Sequence, residues 1–125
     1  MINFISLITR RKKMRFKDKI KGDVGIITLK GNLMGMPETE ELQGEVKAML
    51  GQNIKKVVLD LGGVSWVNSV GIGGIMAAHT TMVNREGKLC LANVSEKVHN
   101  VLIITQLQKI FNTYNSVDEA IESLC

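Results

Sequence analysis

Two periodicities alternate along this chain. From Arg15 to Lys21, the residues Phe16, Asp18 and Ile20 alternate with Arg15, Lys17, Lys19 and Lys21, a period-two pattern that predicts a strand. Gly22-Asp23 is turn chemistry, and Val24 to Lys30 is rich in β-branched residues, so the two segments together predict a hairpin. Gly31 and Gly35 punctuate the exit, and Pro37 suits the first turn of a helix. Over Glu38 to Leu50, the residues Leu42, Val46, Met49 and Leu50 recur at helical spacing. Glu38, Glu40 and Glu41 sit near its N-terminus, where the helix dipole favours anions, and Gly51 ends it.

Lys55 to Leu61 contains Val57-Val58-Leu59, the short continuous apolar run of a strand buried on both faces. Ser65 to Asn68 leads into Ser69 and a helix over Val70 to Arg85, whose first turns hold Gly71, Gly73, Gly74, Ala77 and Ala78. Glycine weakens a helix, so this stripe predicts close backbone packing. Gly87 stops the helix, and Lys88 to Val94 predicts another strand. Ser95 with Glu96 opens a further helix that turns Val98, Leu102 and Leu107 to the core. Ile110 to Tyr114 predicts a short edge strand, and Asn115 or Ser116 can cap a last helix over Val117 to Leu124.

The order β-β-α-β-α-β-α-β-α predicts an α/β fold: a mixed sheet of about five strands with about four helices. The later strands are separated by helices and should run parallel. A length of 125 residues with 45% apolar content suits a single core.

Charge changes this picture only at the start. Residues 1–13 hold Arg10, Arg11, Lys12 and Lys13 and no acid, whereas the rest balances 12 basic against 12 acidic residues. Residues 1–13 therefore read as a basic tail, either a disordered arm or sequence upstream of the true start, and residues 14–125 as the domain. The tail also offers a weak patch for anionic surfaces. The later charges are interspersed along the chain and aromatics make up only 4%, so no nucleic-acid partner is expected. Runs such as Val101-Leu102-Ile103-Ile104 are too short to span a bilayer. The charges of the tail follow its apolar stretch, the reverse of a secretory signal, so a cytoplasmic protein without a membrane span is expected.

Candidate chemistry is sparse. Cys90 and Cys125 form no CxxC, and neither His79 nor His99 stands at a zinc-site spacing from them, so no metal is expected. Gly71-x-Gly73 begins a dinucleotide fingerprint, but Met76 occupies the third glycine position and no phosphate-binding GxxxxGK[ST] loop exists. Around Ser69 the GxSxG of hydrolases is absent. No cofactor and no catalytic residue are expected, and the chain reads as a binding module and not an enzyme.

The stretch Val57 to Gly73, with Trp66 ahead of Asn68-Ser69-Val70-Gly71-Ile72-Gly73, resembles the signature of STAS domains. There a buried strand leads through an aromatic residue to Asp-Ser-Ser/Thr-Gly-Leu-Gly at a helix start. The resemblance runs from about Phe16 to Leu124, through the Gly31-Asn32 turn and through Leu91-Ala92-Asn93-Val94-Ser95 with Val98 and Leu102. It implies an anti-sigma factor antagonist whose partner is an anti-sigma factor that is also a serine kinase. By position it implies that Ser69 is the phosphoacceptor, with Asn32, Met34, Met36, Asn68, Val70, Gly71 and Ile72 as partner-binding candidates. A serine at a helix N-terminus can cap free N–H groups and lies where an added phosphate is favoured, so Ser69 is either such a cap or a phosphoregulated site.

This chain departs from the family pattern at three places. Asn68 stands for the Asp, Val70 for the second Ser/Thr, and Gly31-Asn32-Leu33-Met34 for the frequent Gly-Glu-Leu-Asp. The departures allow a second reading, a non-phosphorylated scaffold subunit of a signalling complex. Met34 and Met36 are then either an adaptable apolar contact surface or core.

Overall fold

The computed structural model describes residues 14–124. Its elements are strands β1 (Arg15–Lys21) and β2 (Val24–Lys30), helix α1 (Met36–Gly51), β3 (Lys56–Gly63) and α2 (Ser69–Asn84). They continue as β4 (Lys88–Ala92), α3 (Glu96–Ile104), a 3₁₀ turn (Leu107–Lys109), β5 (Thr113–Tyr114) and α4 (Val117–Leu124). The sheet order is β1-β2-β3-β4-β5, with β1 antiparallel to β2 and every later pair parallel. This is the expected α/β class, with five strands and four helices among the described residues. The basic tail expected over 1–13 lies outside the described residues.

Hairpin geometry follows from Gly22, whose φ of 64° a two-residue turn requires, and Lys21 then pairs with Val24. Helices α1, α2 and α3 cover one sheet face. There Ile27, Leu29, Val57, Leu59, Leu61, Leu89 and Leu91 meet Leu42, Val46, Ile75, Met82, Val98 and Leu102 in one buried cluster. The opposite face carries a smaller cluster of Val24, Val58, Cys90 and Ala92 under Ala120 of α4, which packs on β3, β4 and β5. The alternation of Val57, Val58 and Leu59 between the two clusters is why that run is continuously apolar.

The chain departs from the sequence reading between α3 and β5. The expected strand over Ile110–Tyr114 is only Thr113–Tyr114, preceded by the 3₁₀ turn. Phe111 is buried, and its N–H donates to the carbonyl of Leu107 at 3.1 Å. Holding both side chains against the core over a four-residue spacing demands a turn, which an extended segment cannot supply. Leu107 accordingly packs on the core from this turn and not from α3.

Candidate functional site

At the C-terminal ends of β2 and β3 two exit loops run side by side. The Gly31 N–H donates to the Gly63 carbonyl at 3.0 Å and the Leu33 N–H to the Trp66 carbonyl at 3.2 Å, and Leu33 bridges to Val67. The Ser65 hydroxyl donates to Asn32 Oδ1 at 3.0 Å. These bonds extend the parallel pairing beyond the strands and fix where α2 starts.

Asn68 is the N-cap of α2: its Oδ1 accepts from the Gly71 N–H at 3.0 Å, while its Nδ2 donates to the Met34 carbonyl at 3.0 Å. Ser69 is the first helical residue and is exposed. The cap is therefore Asn68 and not Ser69, because the residue that keeps extended backbone (φ −104°, ψ −172°) is the one whose side chain can turn back to the helix N–H groups.

Small residues bring α2 close to its neighbours. A Cβ on Gly71 would collide with the Leu33 carbonyl oxygen, and one on Gly74 would sit 2.5 Å from Thr39 Cγ2. Close backbone packing thus accounts for Gly71 and Gly74, and neither is left open to cradle a phosphate. Gly73 faces open space. With Val70, Ala77, Met36, Thr39 and Gln43 it lines a groove of about 430 Å³ between α1 and α2.

Around the helix start, Met34 (40% exposed), Met36 (60%), Val70 (38%) and Trp66 (47%) present large apolar side chains to solvent. Met34 and Met36 are surface and not core. Of the other sequence candidates, Asn32 is exposed, Asn68 half-buried, and Gly71 and Ile72 buried, so the last two shape the site from beneath. Sequence reasoning passed over Trp66, Gly73 and Ala77 as surface groups. The aromatic ahead of the helix and the small-residue stripe were the signals that could have found them.

Elsewhere chemistry is muted. Burial pushes the Cys90 thiol up to about 11. His79 stands edge-on to Phe111 with ring centroids 5.1 Å apart. Among the described residues no three His, Cys, Asp or Glu side chains gather as a metal site, and no helix is long and apolar enough to cross a membrane.

The model of the STAS domain family matches residues 15–120. The chain belongs to the STAS domain family. Among its relatives is BtrV of Bordetella bronchiseptica, a candidate anti-sigma factor antagonist, 29% identical over 103 residues that span 82% of this chain and 87% of BtrV. The crystal structure of a candidate anti-sigma factor antagonist from Thermotoga maritima is 26% identical, with a TM-score of 0.78 over 87% of this STAS chain and 93% of its own. The Bacillus cell fate determinant SpoIIAA, solved in its phosphorylated form, shares the fold at 18% identity and a TM-score of 0.68, over 89% of this chain and 100% of that one.

Proposed function

We propose that this STAS domain is an anti-sigma factor antagonist that docks an anti-sigma factor through the surface around the start of α2, and that phosphorylation of Ser69 releases the partner. The observation that carries the reading is an exposed serine at the first position of α2, bordered by the exposed apolar side chains of Met34, Met36 and Val70. Exposed methionine and other large apolar side chains gathered in one patch with polar groups beside them are the composition of a protein interface. In the switch, Ser69 Oγ would attack the γ-phosphorus of a nucleotide held by the partner kinase, with loss of the hydroxyl proton and departure of the nucleoside diphosphate. The phosphate adds about −1.5 to −2 charges, favoured by the positive end of α2 and hostile to an apolar partner surface already docked there. A cytoplasmic setting follows from such a partner.

The test is titration of wild type, Ser69→Ala and Ser69→Asp against anti-sigma kinases by calorimetry. Ser69→Ala should bind as wild type and Ser69→Asp at least about tenfold more weakly, a loss of about 1.4 kcal/mol. Equal affinity of a folded Ser69→Asp rules out charge switching. Since Asn68 is the cap, Ser69→Ala should keep the fold stable. Asn68 favours a second reading, a scaffold subunit without a phosphorylation cycle. The hydrogen bond that its Nδ2 donates to the Met34 carbonyl joins the two loops through a donor that the family's Asp lacks. Binding of a partner that is indifferent to Ser69→Asp would support it.

A further inference from the structure

The sheet ends in a long, regular edge. Among the described residues β1 has one neighbour, β2, and all seven residues of β1 pair with it in unbroken antiparallel register. Alternate N–H and C=O groups of such an outer strand point away from the sheet. The strand period also sorts the side chains. Phe16 packs on the cluster under α1, so Phe16, Asp18 and Ile20 share that face of β1. Arg15, Lys17, Lys19 and Lys21 therefore all point to the other face. Lys30 of β2 lies directly opposite Arg15 and joins them. All five cations are exposed. Among the described residues the row has one ion pair, Lys21 to Asp118 at 3.5 Å.

Lysines on an edge strand hinder pairing between copies of one chain, and few are needed for that. Here Lys30 extends the row onto an interior strand, where no edge needs guarding and a cation facing Arg15 costs stability. The other face of the edge is unguarded. Ile20 is 44% exposed there, and Asp18 beside it hydrogen-bonds Glu45 of α1. The edge thus offers main-chain groups between a cationic side and a side where carboxylates separate two apolar positions. Charge complementarity selects the occupant. A second copy that added its own β1 with the faces aligned would set cation against cation. An extended segment with an acid at every second position forms opposite-charge pairs on one face, while its intervening residues cover Phe16 and Ile20 on the other. Nucleic acid fits less well, since the row contains no aromatic on which a base could stack. A bilayer would meet the cations but leave the main-chain edge and Ile20 unused.

We propose that the open edge of β1 takes up an extended segment of a partner protein as an added strand, one in which acidic residues alternate with apolar ones. Arg15, Lys17, Lys19 and Lys21 select the acids, Phe16 and Ile20 the apolar residues, and Asp18 with Glu45 a cation between them. This edge stands apart from the Ser69 reading, and its test uses no anti-sigma factor.

The probe is the end-capped peptide Glu-Val-Glu-Lys-Glu-Val-Glu, which reads the same in both strand directions. Its control, Glu-Glu-Glu-Glu-Lys-Val-Val, has the same composition without the alternation. Each is titrated into the full isotope-labelled chain while amide hydrogen exchange is followed by NMR. At millimolar concentration the alternating peptide should slow exchange of the β1 amides that point away from β2, and less so as salt rises. The control should leave them unchanged. A full-length variant Lys17→Glu, Lys19→Glu, confirmed folded by circular dichroism, should bind the alternating peptide roughly tenfold or more weakly. Glu-Val-Lys-Lys-Lys-Val-Glu, with lysines at the two facing positions, should restore binding to that variant. If the double variant misfolds, Lys19→Glu alone should still show a loss of roughly threefold or more. Unchanged exchange along β1 overturns the proposal, as do equal effects of the two peptides or wild-type affinity in the folded charge-reversed variant. Protection of the same amides by phosphatidylglycerol vesicles or a duplex oligonucleotide, with none from the peptide, overturns it in favour of those anions.

Discussion

Asn68 serves two segments with one amide. Its oxygen caps α2 and its nitrogen holds the Met34 carbonyl, 34 residues earlier in the chain. Asn68→Asp keeps the acceptor and loses the donor, setting a carboxylate oxygen against a carbonyl. Denaturant unfolding should register a loss of about 1 kcal/mol. Asn68→Ala, which also forfeits the cap, should lose about 1–2 kcal/mol. An Asp variant as stable as wild type would mean that the Met34 bond contributes nothing. The sequence marked Asn68 as a departure from the family's Asp, but the use of its amide depends on two loops lying side by side. Local pattern carries no such information. The assignment of the cap to Ser69 missed for a related reason: adjacent polar residues compete for one cap, and backbone dihedrals decide between them.

At the scale of elements, β1 and α1 meet through two carboxylates. A hydrogen bond with Asp18 is the largest cause that raises Glu45 to about 7, followed by partial burial and by the negative charges of Asp18 and Glu41. The folded state thus holds a proton that the unfolded chain releases near 4.5. The resulting stabilisation is fully present below pH 4.5 and is lost as pH rises through 7. Glu45→Gln removes this dependence, so its melting temperature should exceed that of wild type more at pH 8 than at pH 5. A difference that does not change with pH would overturn the assignment. Elements of strong period were legible in the sequence. The β-branched run of β2, the spacing of Leu42, Val46 and Met49, and the Gly71–Gly74 stripe each reflect a local rule that packing obeys. The Ile110–Tyr114 segment was not, because the anchoring of Leu107 and Phe111 in the core overrode its apolar run.

At the scale of the molecule, the sheet has one thickly covered face and one thinly covered face. Among the described residues, three helices close the first, whereas the second has only the eight residues of α4 over β3, β4 and β5. The asymmetry could not be read from composition, since it arises when the strand period meets the sheet order. The thin face also holds a clock. Cys90 lies at 1% exposure beneath α4, and its thiol is held protonated by burial, so it can react with an alkylating reagent only when that helix lifts. In a Cys125→Ser background the alkylation rate of the remaining thiol should therefore report the opening of α4 in the native protein. Ala120→Gly, which thins the lid without a new charge, should speed that reaction well before the melting temperature of the whole domain falls to match. A rate that changes only in step with global unfolding would show that the last helix and the sheet open as one unit.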